Sequence, residues 1–222
     1  MIKLSSEIVK EYGLNAGANI VGIAASSAFN LAPKGFKPSD NLETCRSVIV
    51  LGVPLPQEAL TSMSDIEYTE LRNTMLTKMT DIAKIVAKRI TKESGYKTKA
   101  ISASGGKYID GKHCGDISLK HAAELAGLGT ITRNYLLTSP KYGNLLWFSA
   151  VLTDAELTPD EKIQHNLCDN CNKCVEACPS GALNNPDLFG RNECSKFFVI
   201  ENKKLTIKCF LCRRICPYRF GK

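Results

Sequence analysis

The sequence predicts an α+β protein in two parts: an α/β domain over residues 1–160 and a compact cysteine-rich domain over residues 161–222. Three observations carry this. Helical and strand-like apolar patterns alternate through residues 1–152, the pattern of helices layered on a sheet. The stretch from Thr153 to Leu167 is polar and reads as a linker. Eight of the ten cysteines then fall between Cys168 and Cys216. A chain of 222 residues, 44% apolar and 23% charged, can bury a sizeable core and is not disordered in its main state.

The elements follow in order. Ser5 or Ser6 caps a first helix with Ile8, Val9 and Tyr12 on one face and Gly13 as its stop. Asn19 to Ala25 reads as a strand, and residues 26–46 as a loop punctuated by Pro33, Gly35 and Pro38. Ser47 to Val53 is a buried-type strand ended by Pro54 and Pro56. The clearest helix runs from Ser64 to Ser94. Ser64 and Glu67 fit a capping box, Gly95 ends the helix, and Leu71, Met75, Met79, Ile82, Val86 and Ile90 form one apolar stripe. The two methionines in it are read as core packing. Tyr96 to Ser104 suggests a strand and residues 105–116 a glycine-containing loop. Ser118 to Ala126 reads as a short helix closed by Gly127, and Leu145 to Leu152 as a last apolar strand.

The cysteine spacing carries the chemistry. Cys168-x2-Cys171-x2-Cys174-x3-Cys178-Pro179 is the bacterial ferredoxin run, in which the fourth cysteine serves the other cluster. Cys209-x2-Cys212-x3-Cys216-Pro217 is a second group, with Cys194 upstream as its displaced first ligand. Crossing the fourth ligands assigns Cys168, Cys171, Cys174 and Cys216 to one [4Fe–4S] cluster. It assigns Cys178, Cys194, Cys209 and Cys212 to another. Two structural zinc ions are the alternative, because CxxC pairs also bind zinc. Consecutive three-residue steps suit a cube better than a tetrahedron. Cys45 and Cys114 are left over and read as unligated thiols.

No apolar run approaches the roughly 20 residues that span a bilayer. The N-terminus has polar residues where a secretion signal needs apolar ones, so a cytoplasmic protein is expected. That setting disfavours disulfides. The net charge is +7, and residues 168–222 hold ten Lys and Arg against five Asp and Glu. An oxidised [4Fe–4S] cluster with four thiolates carries about −2, so the local surplus balances the metal centres. Arg213 and Arg214, between ligands, fit that role. No P-loop or GxGxxG fingerprint is present.

The AGLG turn ending at Gly129, the LLTSPKYG loop, the VLTDAEL strand end and the CxxCxxCxxxCP run stand in one order between Ser118 and Pro179. This resembles the epoxyqueuosine reductase family and, more distantly, reductive dehalogenases and corrinoid-protein activators. The resemblance implies a nitroreductase-like α/β sandwich followed by a ferredoxin-like double [4Fe–4S] domain. It implies cobalamin as a further cofactor, with FMN the alternative, and Asp116 as proton donor. Ser118, His121, Gly127 and Gly129 are the expected cofactor contacts. Asp110-x-x-His113-x-Gly115 differs in spacing from the motif that supplies a histidine to cobalt, and His165 has no expected role.

The expected function is an iron–sulfur oxidoreductase relaying electrons to a bound cofactor and a substrate. A pure electron-transfer protein reducing a separate corrinoid protein or enzyme is one alternative. Reduction of epoxyqueuosine in tRNA with a partner is the other. Expected partners are a low-potential donor of ferredoxin or flavodoxin type and a second copy of the chain. The chain ends five residues after Pro217, before any helical-repeat tail, so nucleic acid is not an expected partner.

Overall fold

The computed structural model describes residues 2–104, 106–109, 112–164, 166–185, 189–201 and 204–221. Its first half contains α1 (Ser6–Asn15), β1 (Ile20–Ala25), α2 (Pro38–Asn41), β2 (Ser47–Pro54), α3 (Glu58–Thr61), α4 (Asp65–Ser94) and β3 (Thr98–Ile101). Then come β4 (Lys107–Ile109), β5 (Lys112–Cys114), α5 (Leu119–Leu125), β6 (Thr130–Ile131), β7 (Leu137–Thr138) and β8 (Leu146–Thr153). The last stretch holds α6 (Lys173–Glu176), α7 (Arg191–Ser195), β9 (Phe198–Glu201), β10 (Lys204–Ile207) and α8 (Leu211–Arg214). The fold is mixed α+β. Among the described residues no helix is long and apolar enough to cross a membrane.

Two compact units result, each built from separate stretches of chain. Unit 1 is Met1–Pro54, Met75–Gly129 and Trp147–Ile163. Unit 2 is Leu55–Thr74, Thr130–Leu146 and Gln164–Lys222.

Unit 1 is organised by a sheet of order β1-β2-β8-β3, with β1 antiparallel to β2 and β3 antiparallel to β8. Val48 to Leu51 of β2 and Ala150 to Leu152 of β8 are wholly buried, which explains their continuous apolar sequence. Met79, Val86 and Ile90 of α4 are also fully buried, on the stripe read from the sequence. The capping box forms as expected: the Ser64 N–H donates to the Glu67 carboxylate at 2.8 Å and the Glu67 N–H to Ser64 Oγ at 3.3 Å.

Three expectations are corrected. Gly13 does not stop α1 but lies inside it. A Cβ there would meet Val21 at 2.6 Å and Leu51 at 2.8 Å, so the glycine permits close packing of α1 on the sheet. Residues 105–116 are not simply a loop, because β4 and β5 form a hairpin.

The supposed linker is a strap held against unit 1. Asp160 accepts from the Ile23 N–H at 2.9 Å and from Lys10 at 2.5 Å. The Leu157 N–H donates to Ser47 Oγ at 3.0 Å, and Ala155 and Leu157 are buried. Its backbone groups find partners far away in the chain, which a local reading of polarity does not register.

Candidate metal centre

All eight clustered cysteines lie in unit 2, on short helices and the irregular segments beside them. Cys171 closes a turn on Cys168 through a 3.1 Å backbone bond, and Asn170 takes a left-handed φ of 56° within it, a conformation asparagine tolerates. Cys174, Cys194 and Cys212 lie on α6, α7 and α8.

The structure brings the cysteines together in two sets. Cys168, Cys171, Cys174 and Cys216 line one small cavity with Thr132, Asn134, Pro217 and Tyr218. Burial pushes the Cys174 thiol up, and negative charge on Cys168, Cys216 and Cys171 adds to it. Around the second set, burial pushes the Cys212 thiol up to about 12. Arg213 opposes this, while Cys194, Cys209 and Cys178 push the same way. Each set thus joins residues from both halves of the segment within electrostatic reach. Cys178 is held low although burial opposes it, because the Ser180 hydroxyl and the N–H groups of Ser180, Ala182 and Leu183 face it.

Four cysteine side chains around one cavity are the donor set of a [4Fe–4S] cube or of a single zinc ion. A zinc ion holds four thiolates at about 2.3 Å from one point.

Several supporting residues have no sequence motif of their own. The Arg133 N–H donates to Cys168 Sγ at 3.4 Å, and its guanidinium donates to the Asn172 side chain. The Asn134 amide donates to the Cys212 carbonyl at 3.2 Å. The first turns of α4 support the other side. Tyr68 stacks on Phe210 with ring centroids 3.8 Å apart, and Thr69 Oγ1 accepts from the Ile207 N–H at 3.0 Å. Arg213 is 7% exposed and donates to the Asn144 carbonyl, so it is a buried structural cation as well as a charge near the cysteines. Arg214 donates to the Met63 carbonyl at 2.6 Å and lies over the Phe210 ring.

The other expected site residues lie in unit 1. Asp116 is half-buried, and its backbone carbonyl accepts from Asn41 at 3.0 Å. Ser118 Oγ and His121 Nδ1 are 2.6 Å apart, and burial lowers the His121 pKa. Gly127 has φ +69°, and a Cβ there would meet the Glu161 carbonyl at 2.4 Å. The strap itself therefore fills the space beside Gly127. Gly129 takes φ +157°, and the turn packs on β1, where a Cβ on Gly22 would meet the Ala126 carbonyl at 2.2 Å. Among the described residues, Ser118, His121, Gly127 and Gly129 all lie in unit 1. An open cleft of the same unit is lined by Ser26, Lys37, Cys45, Arg46 and Glu156. Asp110, His165 and the side chain of His113 lie outside the described residues.

Residues 161–184 match the family model described as 4Fe-4S binding domain. Epoxyqueuosine reductase of Bacillus subtilis (strain 168) is 32% identical over 119 residues, covering 49% of this chain and 31% of that protein. Epoxyqueuosine reductase of Lactococcus garvieae (strain Lg2) is 23% identical over 197 residues, 83% of this chain and 55% of that protein. The chain thus spans between about a third and just over half of these curated relatives.

Among solved structures, an epoxyqueuosine reductase with a tRNA-Tyr stem loop superposes with TM-score 0.66 at 20% identity, covering 96% of this chain and 64% of that one. A catabolic reductive dehalogenase with 3-bromo-4-hydroxybenzoic acid gives TM-score 0.75 at 21% identity, covering 96% and 31%. In sequence over about half its length, and in fold over nearly all of it, the chain is epoxyqueuosine reductase-like.

Proposed function

We propose that the chain is an iron–sulfur reductase. In this reading Cys168, Cys171, Cys174 and Cys216 hold one [4Fe–4S] cluster, and Cys178, Cys194, Cys209 and Cys212 hold a second. The supporting observation is the single cavity that Cys216 shares with three cysteines far upstream in the sequence. A cluster bound there supplies one-electron transfer.

The chain's own groups do the rest. The Arg133 N–H stabilises negative charge on the Cys168 sulfur. Asn134 ties the loop before β7 to the Cys212 backbone, which fixes one set relative to the other. The local Lys and Arg surplus offsets the charge of the loaded sites. The names of the relatives support reductase chemistry. A reducing, cytoplasmic setting accords with eight thiolates kept as ligands. No step is assigned to cobalamin or flavin.

A second reading keeps a tRNA substrate. The expectation that nucleic acid is no partner does not stand beside an epoxyqueuosine reductase solved with a tRNA stem loop over the same fold. The net charge of +7 is compatible with phosphate contacts.

Anaerobic isolation with iron and sulfide determination tests the main reading. The expected result is about eight irons per chain and a visible band bleached by dithionite. Colourless protein containing zinc overturns it. Titration with hydroxocobalamin or FMN then separates an enzyme, which binds one of them, from a pure relay. Binding of a tRNA stem loop that weakens steeply with salt selects the second reading.

A further inference from the structure

We propose that the β9–β10 hairpin is the docking surface for a small acidic one-electron carrier protein of the low-potential ferredoxin or flavodoxin class. The proposal rests on the cluster reading above and adds the place where electrons enter.

The register of the hairpin makes one of its faces apolar. Phe198 pairs with Ile207 and Ile200 with Leu205, so the four side chains share a face. Ile207 is buried. Phe198, Ile200 and Leu205 are 41%, 77% and 42% exposed. An opposed Ile–Leu pair with a phenylalanine on the same face is a contiguous patch rather than scattered exposure. β9 and β10 pair with each other in a two-stranded sheet, with no third described strand beside them.

Charge selects the occupant. Lys196 precedes β9, Lys204 opens β10, and Lys208 follows it, its N–H extending the ladder to the Phe197 carbonyl at 2.8 Å. The Lys196 side chain is 67% exposed even while paired with Glu193, and Lys204 is exposed. Apolar side chains flanked by lysines complement a protein with an apolar contact and acidic surroundings, and the lysines speed its approach. Nucleic acid would use the lysines and stack on Phe198, but leaves Ile200 and Leu205 without an apolar partner.

The position suits delivery. Cys209 directly follows Lys208, and Cys194 stands two residues before Lys196, so both arms of the hairpin lead into ligands of the proposed second cluster. In each encounter the carrier loses one electron and this chain gains one; no atom or proton needs to move. A few apolar side chains and a charged surround fit the interfaces below about 1,200 Å² of weak redox encounters, which must release quickly.

The test uses anaerobic holoprotein and, as probes, a reduced flavodoxin and a reduced plant-type ferredoxin, with bleaching followed by stopped flow. The double variant Ile200→Glu/Leu205→Glu and the single variant Lys204→Glu are each expected to slow carrier-driven reduction about tenfold. The wild-type rate should fall as salt rises. Reduction by dithionite and iron content should remain at wild-type values in both variants. If dithionite bleaches all three proteins and the carrier rates are equal, the proposal is overturned while the cluster reading stands. If iron or dithionite bleaching is absent from the wild type, the cluster reading itself fails. A wild-type dimer in sedimentation that the double variant turns into monomer assigns the face to self-association and also overturns the proposal.

Discussion

Arg213 and Asn144 are hydrogen-bonded to each other in both directions. The Asn144 amide donates to the Arg213 carbonyl at 3.1 Å, and the Arg213 guanidinium donates to the Asn144 carbonyl. Both residues are buried, at 7% and 1% exposure. The pair joins the segment before β8 to α8, the helix that carries Cys212. Arg213→Ala leaves the buried Asn144 carbonyl without this donor and is expected to cost about 1.5–3 kcal/mol. Denaturant unfolding of holoprotein measures it, and iron loss should accompany the transition. A purely charge-balancing arginine would instead tolerate Arg213→Lys, which cannot reproduce the planar fork.

Gly127→Ala is expected to destabilise unit 1 by about 1–3 kcal/mol. The residue has φ +69°, and the added Cβ would stand 2.4 Å from the Glu161 carbonyl. Thermal unfolding followed by circular dichroism checks this. If Gly127 served only as a helix stop, Gly127→Asn would recover most of the loss, because asparagine tolerates that φ. The contact with Glu161 predicts that it does not.

The strap makes a parallel claim. Asp160→Ala removes the acceptor of the Ile23 N–H and of Lys10, and an expected 1–3 kcal/mol follows from the unpaired strand amide. Lys10→Ala should cost less than about 1 kcal/mol, because the Lys10 and Asp160 side chains are 35% and 29% exposed and water screens the ion pair. Equal losses in the two variants would show that the ion pair, not the amide bond, fixes the strap.

These residues also show where the sequence was readable. The α4 stripe and its Ser64–Glu67 box were legible because period and cap are local signals. Cysteine spacing was legible for the same reason. The strap was not, since Asp160 is held by Lys10 and Ile23, more than a hundred residues upstream. Arg133, Asn134 and Tyr68 were missed because their roles arise only when distant stretches meet in unit 2. Gly13 and Gly127 were legible as glycines, but what each one touches is a tertiary fact.

Cys45 gives a pH-dependent prediction. It is buried with its thiol on the Ser47 carbonyl, and burial pushes its pKa above the ordinary value of 9.0. The folded protein therefore holds this proton more tightly than the unfolded chain. That share of stability is complete below the unfolded thiol's pKa and is lost as pH rises through that range toward the folded value. Iodoacetamide should label half-exposed Cys114 in the folded holoprotein and reach Cys45 only in denaturant. Equal labelling of the two in native buffer would contradict the burial of Cys45.

Crossed ligation has its own signature. If Cys216 closes the site of Cys168, Cys171 and Cys174, then Cys216→Ser disturbs the first cluster and spares the second, although Cys216 lies beside Cys209 and Cys212 in sequence. The reverse holds for Cys178→Ser, because Cys178 is within electrostatic reach of Cys212. Each variant should retain about four irons per chain, half the wild-type content, with one reduced-cluster signal left in the electron paramagnetic resonance spectrum. The surviving signal should differ between the variants, because the Cys168 sulfur accepts from the Arg133 N–H while Cys178 is faced by Ser180. Pairing Cys216→Ser with Cys171→Ser should remove no more iron than either alone. Pairing it with Cys209→Ser should empty both sites. The opposite pattern would mean that each run of cysteines closes its own site.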